Sequence, residues 1–374
     1  MAVQATIPVN EPLLDGNEER YLADCIRTGW ISSEGPFVKR LEEDFAARAG
    51  RKHGVSVCNG SVALDIATAA LNLGPGDEVI LPSFTIISCA AAVVRAGATP
   101  VLVDCEPDTW NTTAERIATR ITSRTKAIMI VHIYGLPVDM DPVLALARHH
   151  GLKIIEDAAE MHGQTYKGRP CGSFGDVSTF SFYPNKLVTT GEGGIVLTDD
   201  AVLAERCRAS RNLCFQPGKR FVHEELGWNF RLSNLQAAVG VAQLERLDEF
   251  VARKRRMGES YLERLGDIGG LQLPLPRTHY AENIFWVFGA VLEDSVPFDA
   301  AEAMRRLAAR GIGTRPFFWP MHEQPVFRKM GLFAEEAHPN SERLARRGFY
   351  LPSGLALTDS QIERVAEAMR EITY

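Results

Sequence analysis

Between residues 53 and 199 the chain repeats one pattern seven times, a short and almost continuously apolar run. The runs are HGVSVCN (53–59), EVILPS (78–83), TPVLVDC (99–105), AIMIVHIYG (127–135), KIIEDAA (153–159), VSTFSF (177–182) and GIVLTD (194–199). Strict alternation would mark strands with one wet face. Continuous hydrophobicity marks strands covered on both. Most of the intervening segments, such as GSVALDIATAALNLG and MDPVLALARHHG, carry helical spacing and run into glycine. Strands alternating with helices predict an α/β fold built on a mostly parallel seven-stranded sheet with right-handed crossovers. Ligands of such sheets sit beyond the carboxyl ends of the strands.

After about residue 240 the texture changes. VAQLERLDEFVARKRRMGESYLERLGDIG reads as one long amphipathic helix whose Arg-Lys-Arg-Arg run is a solvated face. NIFWVFGAVL and IGTRPFF read as strands, and AAEAMRRLAARG and DSQIERVAEAMREI as helices, together a smaller α+β unit. The expected division is residues 1–245, an N-terminal arm and large α/β domain, and residues 246–374, a linking helix and small C-terminal domain. The arm and one helix, in the stretch ending RTGWISSEGPFVKRLEEDFAA, are expected to pack on the large domain.

Composition narrows the class. A length of 374 residues suits one large and one smaller core, and 45% hydrophobic with 24% charged residues is ordinary for a globular protein. A net charge of −6 offers no basic stripe for nucleic acid. No apolar run approaches the roughly 20 residues of a membrane span, and MAVQATIPVNEP lacks the basic start of a signal peptide. The seven cysteines are odd in number and form no CxxC pair, so reduced thiols and a cytoplasmic location are expected. The nine histidines show no metal-ligand spacing, and no metal is expected. Serine-hydrolase, P-loop and dinucleotide-binding motifs are missing.

What these patterns do not absorb is Lys186, a single lysine in TFSFYPNKLVTTGEGG just past a strand end. It is either a solvated loop residue or a nucleophilic amine that holds a carbonyl cofactor. Such a cofactor also needs a carboxylate at its ring nitrogen, donors for its phosphate and a cover for its ring. Asp157 closes an apolar strand, where a carboxylate is costly unless paired; it either meets a ring N–H or caps a helix. Glu160 reaches the cofactor's phenolic oxygen or belongs to a capping box. Asn59, Gly60 and Ser61 end a strand and open a helix, so free N–H groups and the helix dipole point at whatever lies there. Ser181 offers another hydroxyl, Asn229 either reaches the phosphate or shapes a turn, and His162 is the histidine placed nearest such a site.

In their joint order, these segments resemble the sugar aminotransferases of the DegT/DnrJ/EryC1/StrS family, within the fold-type I pyridoxal-phosphate enzymes. The resemblance runs from GNEERYLADCIRTGWISSEGPFVKRLEEDFA through GPGDEVILPSFT, IEDAAEMHGQTYKGRPCGSFGDVSTFSFYPNK and TTGEGGIVLTDD to GWNFRLSNLQAAVGVAQLERLDE and RPFFWPMH. WISS, NKLVTTGEGG and GWNFRLSNLQAA are most like the perosamine-synthase-like members, which aminate C4 of a nucleotide-linked 4-keto-6-deoxy sugar. The resemblance implies a transaminase that takes its amino group from glutamate, through pyridoxal phosphate and pyridoxamine phosphate, for polysaccharide or O-antigen sugars. It implies a homodimer with shared active sites. Lys186 would bind the cofactor as a Schiff base, Asp157 the ring nitrogen, and Glu160 the ring hydroxyl. Gly60, Ser61 and Ser181 would bind phosphate, with Asn229 reaching the neighbouring subunit's site. Ser33, Arg315 and His322 would meet the donor carboxylate or the nucleotide, although Arg315 also reads as a core-edge ion pair. The residue after Thr85 usually stacks an aromatic ring on the pyridine; here it is Ile86, which forgoes about 0.5–1.5 kcal/mol, unless Phe84 takes that place. No carboxylate is expected beside the lysine amine, because one would favour its charged form. Amination at C3, a dTDP or UDP sugar, or a non-catalytic cofactor- or sugar-binding relative are the competing readings.

Overall fold

The computed structural model describes residues 5–216 and 218–373. The large sheet holds β1 (His53–Val57), β2 (Glu78–Pro82), β3 (Thr99–Val103), β4 (Thr125–Val131), β5 (Lys153–Asp157), β8 (Val177–Ser181) and β9 (Gly194–Thr198). A two-stranded hairpin, β6 (Thr165–Tyr166) and β7 (Arg169–Pro170), interrupts the series. The strand order is β1-β9-β8-β5-β4-β2-β3. The five strands from β8 to β3 pair in parallel, whereas β9 runs antiparallel to both of its neighbours. Every apolar run of the sequence overlaps one of these strands. β2 and β9 are buried along their whole length, as continuous hydrophobicity requires.

A second core forms around β10 (Leu271–Gln272), β11 (Phe288–Leu292), β12 (Arg315–Pro316) and β13 (Gly348–Leu351), in the order β10-β11-β13-β12. The helices Leu247–Leu265, Ala300–Ala308 and Asp359–Thr373 supply many of its other side chains, among them Tyr261, Leu307 and Met369.

Three expectations need correction. The long helix is two, Asn234–Leu244 and Leu247–Leu265, broken at Glu245 and Arg246. The Glu245 carboxylate is drawn aside by Tyr21 (2.6 Å), Asn17 (2.7 Å) and Arg40 (2.9 Å), and Arg246 leaves the helical region at φ −110. The arm does not pack wholly on the large unit: Ile7 exchanges two 2.8 Å backbone bonds with Gly311 and Gly313 and lies in the second core. Two helices, Glu18–Thr28 and Pro36–Arg48, follow it. Of NIFWVFGAVL and IGTRPFF, only Phe288–Leu292 and Arg315–Pro316 are strand, because Phe285 turns at φ 50 and Pro316 has no N–H to pair. Among the described residues no helix is long and apolar enough to cross a membrane, and all seven cysteines are unpaired.

Candidate active site

β5 and β8 are parallel neighbours, so Asp157 and Ser181, their last residues, come out at one edge of the sheet. Asp157 is buried, and no helix begins after it, which removes the helix-cap alternative. Its Oδ1 accepts the Ala159 N–H (3.1 Å) and its Oδ2 the Cys89 thiol (3.2 Å). Burial raises its pKa, opposed by those two donors and by Lys186.

Lys186 follows in the turn closed by its own N–H to Tyr183 O (2.9 Å). Its side chain is not solvated. Nζ lies 3.6 Å from the centroid of the Trp286 ring and 3.8 Å from Glu160 Oε1. The expectation that no carboxylate stands beside the amine is therefore wrong. The physical compensation is burial, which lowers the lysine pKa while Glu160 and Asp157 pull it back up. Burial likewise pushes Glu160 up to about 7, against the attraction of Lys186. Glu160 belongs to no capping box: its Oε2 accepts the Tyr134 N–H (2.7 Å), which leaves Oε1 turned to the amine.

The third wall is the start of helix Gly60–Ala70. Asn59 caps it, Oδ1 accepting the Val62 N–H (3.0 Å), so the Asn59 side chain builds the cradle rather than lining it. Ser61 Oγ bonds Ser88 Oγ (2.7 Å), and Ser181 stands against Gly60. A Cβ on Gly60 would lie 2.7 Å from that of Ser181, so glycine lets the strand end approach the helix start closely and bring three hydroxyls together. Ile86 is 44% exposed at the start of helix Ile87–Arg95, while Phe84 is locked among Tyr134, Phe317 and Phe318. Phe84 is core, so the alternative of a shifted ring cover falls.

The other candidates divide. Arg315 is exposed, opposite Tyr350 in the β12–β13 register, and has no ion-pair partner among the described residues, so the core-edge pair is excluded. Asn229 is exposed on a segment whose Phe230 carbonyl accepts the Cys58 N–H (2.9 Å) beside the cradle. Ser33 sits half-buried in the turn between the two arm helices. Two histidines expected at the site, His162 placed nearest it and His322 read as a substrate contact, are engaged in the structure itself. His162 is enclosed by Phe45, Phe180 and Phe182, and its Nδ1 accepts the Val188 N–H (3.2 Å); burial and Lys186 push its pKa down to about 3. It fixes the lysine turn from below. His322 is buried with both ring nitrogens engaged, by Ser83 Oγ (2.9 Å) and Glu342 Oε1 (3.0 Å).

Sequence reasoning missed Trp286, Ser88, Cys89 and Tyr134. Trp286 also donates its indole N–H to Asn185 O (2.7 Å), and its carbonyl accepts the buried Lys254 amine (2.8 Å), so the Arg-Lys-Arg-Arg run is not the wholly solvated face expected of it. Two sets of possible metal ligands gather, His132–Glu156–Cys171 and His322–Glu323–Glu342. In the first, Glu156 already accepts the N–H groups of Gly172 (2.5 Å) and Phe174 (2.8 Å) and His132 Nε2 (3.1 Å). In the second, Arg346 pairs with Glu323 (2.6 Å).

A buried lysine and a buried carboxylate beside a hydroxyl-lined helix N-terminus fit pyridoxal phosphate, with Gly60 letting Ser181 close against the first turn of that helix. Residues 12–370 match the model of the DegT/DnrJ/EryC1/StrS aminotransferase family, and the chain belongs to this family of pyridoxal-phosphate-dependent enzymes. Among its relatives is the GDP-perosamine synthase of Caulobacter vibrioides, 42% identical over 369 residues and 98% of each chain. Among solved structures, the aminotransferase TlmJ from Streptoalloteichus hindustanus is similar, with a TM-score of 0.91 and 33% identity over 98% of each chain. DesI, solved in the presence of its TDP-sugar product, has a TM-score of 0.89 and 34% identity, covering 99% of this chain and 93% of its own.

Proposed function

We propose that the protein transfers an amino group from glutamate to C4 of a GDP-linked 4-keto-6-deoxy sugar. The observation that carries the transfer chemistry is the Lys186 amine, buried between Trp286 and Glu160 at the strand edge that bears Asp157. The sugar and the nucleotide rest on the likeness to GDP-perosamine synthases, 42% and 38% identical.

When bound, pyridoxal phosphate supplies the electron sink for breaking the Cα–H bond of the donor. Asp157 holds a proton at the ring nitrogen. Gly60, Ser61, Ser88 and Ser181 bind the phosphate with the first N–H groups of the helix, and Ile86 covers the ring by apolar contact alone. Lys186 Nζ holds the aldehyde carbon at rest. Freed when the donor's amine takes its place, it would act as the base that removes the proton from the donor's Cα and delivers it to the cofactor carbon it had held, with burial lowering its pKa toward that role. Glu160 Oε1 faces the same amine, where it is placed to exchange that proton. Arg315, free of any acidic partner among the described residues, meets the donor carboxylate or the diphosphate.

The exposed Trp30, Ile31, Phe221, Leu226 and Trp228 support a homodimer in which Asn229 reaches the partner's phosphate, and the seven free thiols suit a reducing cytoplasm.

The test is turnover of glutamate with a panel of GDP-, dTDP- and UDP-linked 4-keto and 3-keto sugars. The expected result is amino sugar and 2-oxoglutarate from the GDP-4-keto sugar, with Lys186→Ala colourless and inactive. Turnover confined to 3-keto or TDP-linked sugars overturns the substrate assignment, and an active Lys186→Ala overturns the mechanism.

A further inference from the structure

We infer that Cys89 is a positioning residue for Asp157: its thiol, in the first turn of helix Ile87–Arg95, donates to Oδ2 and holds the carboxylate charged toward the ring nitrogen. The inference rests on the reading of the site as a pyridoxal-phosphate site.

The direction of the hydrogen bond follows from chemistry. Cys89 has no exposed surface and lies beside a carboxylate, so it remains a thiol; burial, with Asp157 adding, drives its pKa up. A carboxylate accepts, so the S–H must donate. The Thr85 hydroxyl, 3.4 Å from Sγ, then completes a chain from Thr85 through Cys89 to Asp157. Oδ1 is held by the Ala159 N–H alone, so Cys89 is the one side-chain donor to this carboxylate among the described residues.

The charged and titratable groups around Asp157 come from four elements. Lys186 lies in the turn after β8, Glu160 on the turn after β5, His132 after β4, and Cys89 on the helix after β2. His132 Nδ1 accepts the Val138 N–H (3.0 Å), so its proton is on Nε2, turned to Glu156. Once Lys186 is bound to the cofactor aldehyde, the Cys89 S–H and the Ala159 N–H are the protein donors left to favour the Asp157 anion, beside the ring N–H it would face. A thiol is a weak donor. It leaves the carboxylate more basic than a hydroxyl would, and a deleted donor leaves it more basic still.

The test is the equilibrium affinity for pyridoxal phosphate against pH, read by quenching of protein fluorescence, for the parent, Cys89→Ala and Cys89→Ser. As pH falls Asp157 takes a proton and affinity declines. In Cys89→Ala the decline should begin at higher pH, with about tenfold weaker binding where the parent still holds fully. In Cys89→Ser it should begin at or below the parent's pH. Coincident profiles for all three, or equal shifts in Ala and Ser, overturn the inference. If the Ala variant does not fold, Ser against Cys89→Val gives the same comparison, and a Ser profile displaced upward overturns it. A parent that binds no pyridoxal phosphate at any pH fails the cofactor reading instead, which keeps the two failures distinct.

Discussion

The Lys186 amine lies 3.6 Å from the centroid of the Trp286 indole, whose N–H is bonded to Asn185 O in the same turn. The ring thus grips the lysine twice, through its face and through the backbone before it. A cation over an indole is stabilised by about 0.5–2 kcal/mol, and more when desolvated. Trp286→Leu should therefore move the lysine's titration to lower pH, whereas Trp286→Phe, which keeps a ring but loses the N–H, should move it less. The pH dependence of pyridoxal phosphate attachment measures both, and identical curves would remove the indole from this role.

Glu160 gives a pH prediction of definite sign. Burial raises its pKa from 4.5 to about 7. Below about pH 4.5 the folded and unfolded states both carry the proton, and no cost arises. Stability is then lost as pH rises through 7, by up to about 3 kcal/mol, the attraction of Lys186 being already contained in that pKa. Glu160→Gln should melt higher than the parent at pH 8 and lose that advantage at pH 5. Melting of the cofactor-free protein at both values decides it.

Gly60→Ala places a Cβ 2.7 Å from Ser181 Cβ. The strand end and the helix start must then separate, at about 1–3 kcal/mol of overpacking. Pyridoxal phosphate affinity should fall more than stability does, because the cradle is what moves. Titration with the cofactor beside a thermal melt separates the two.

Arg315→Ala should raise the KM for glutamate or for the sugar nucleotide about tenfold, the loss of one charge-assisted contact. The protein should melt unchanged, since Arg315 makes no ion pair among the described residues. Steady-state kinetics with each substrate varied in turn tells which anion it meets.

His322→Phe should behave in the opposite way. It strands the buried Ser83 hydroxyl and frees Glu342, a loss of about 1–3 kcal/mol per unsatisfied group. The melting temperature should drop while both KM values stay within about threefold of the parent's. A large KM change in a stable variant would restore His322 as a substrate contact.

The sheet was legible because burial on both faces writes itself into composition: all seven runs became strands. The placement of the candidates was legible too, since Asp157 and Ser181 end neighbouring parallel strands and Lys186 follows in the next turn. What escaped depends on approach from distant parts of the chain. Trp286 reaches Lys186 across a hundred residues, and Ser88 meets Ser61 only because two helices start side by side. His162 and His322 misled for a related reason. Histidine beside a motif looks available, but one is sealed by three phenylalanines and the other has both nitrogens engaged, by Ser83 far back in the chain and by Glu342 on the helix Pro339–Arg347.

Adjacent residues of β5 turn to opposite faces of the sheet, Glu156 into the lock of Gly172, Phe174 and His132, and Asp157 into the reactive edge. A slip of one position during assembly would exchange them. Asp157, one methylene shorter, would leave those backbone donors unmet, and Glu156 would overrun the space shaped for its neighbour. Misregistered molecules would thus be betrayed by two unsatisfied carboxylates at once. Register and chemistry are written in one strand, because the pairing that satisfies Glu156 is the one that places Asp157.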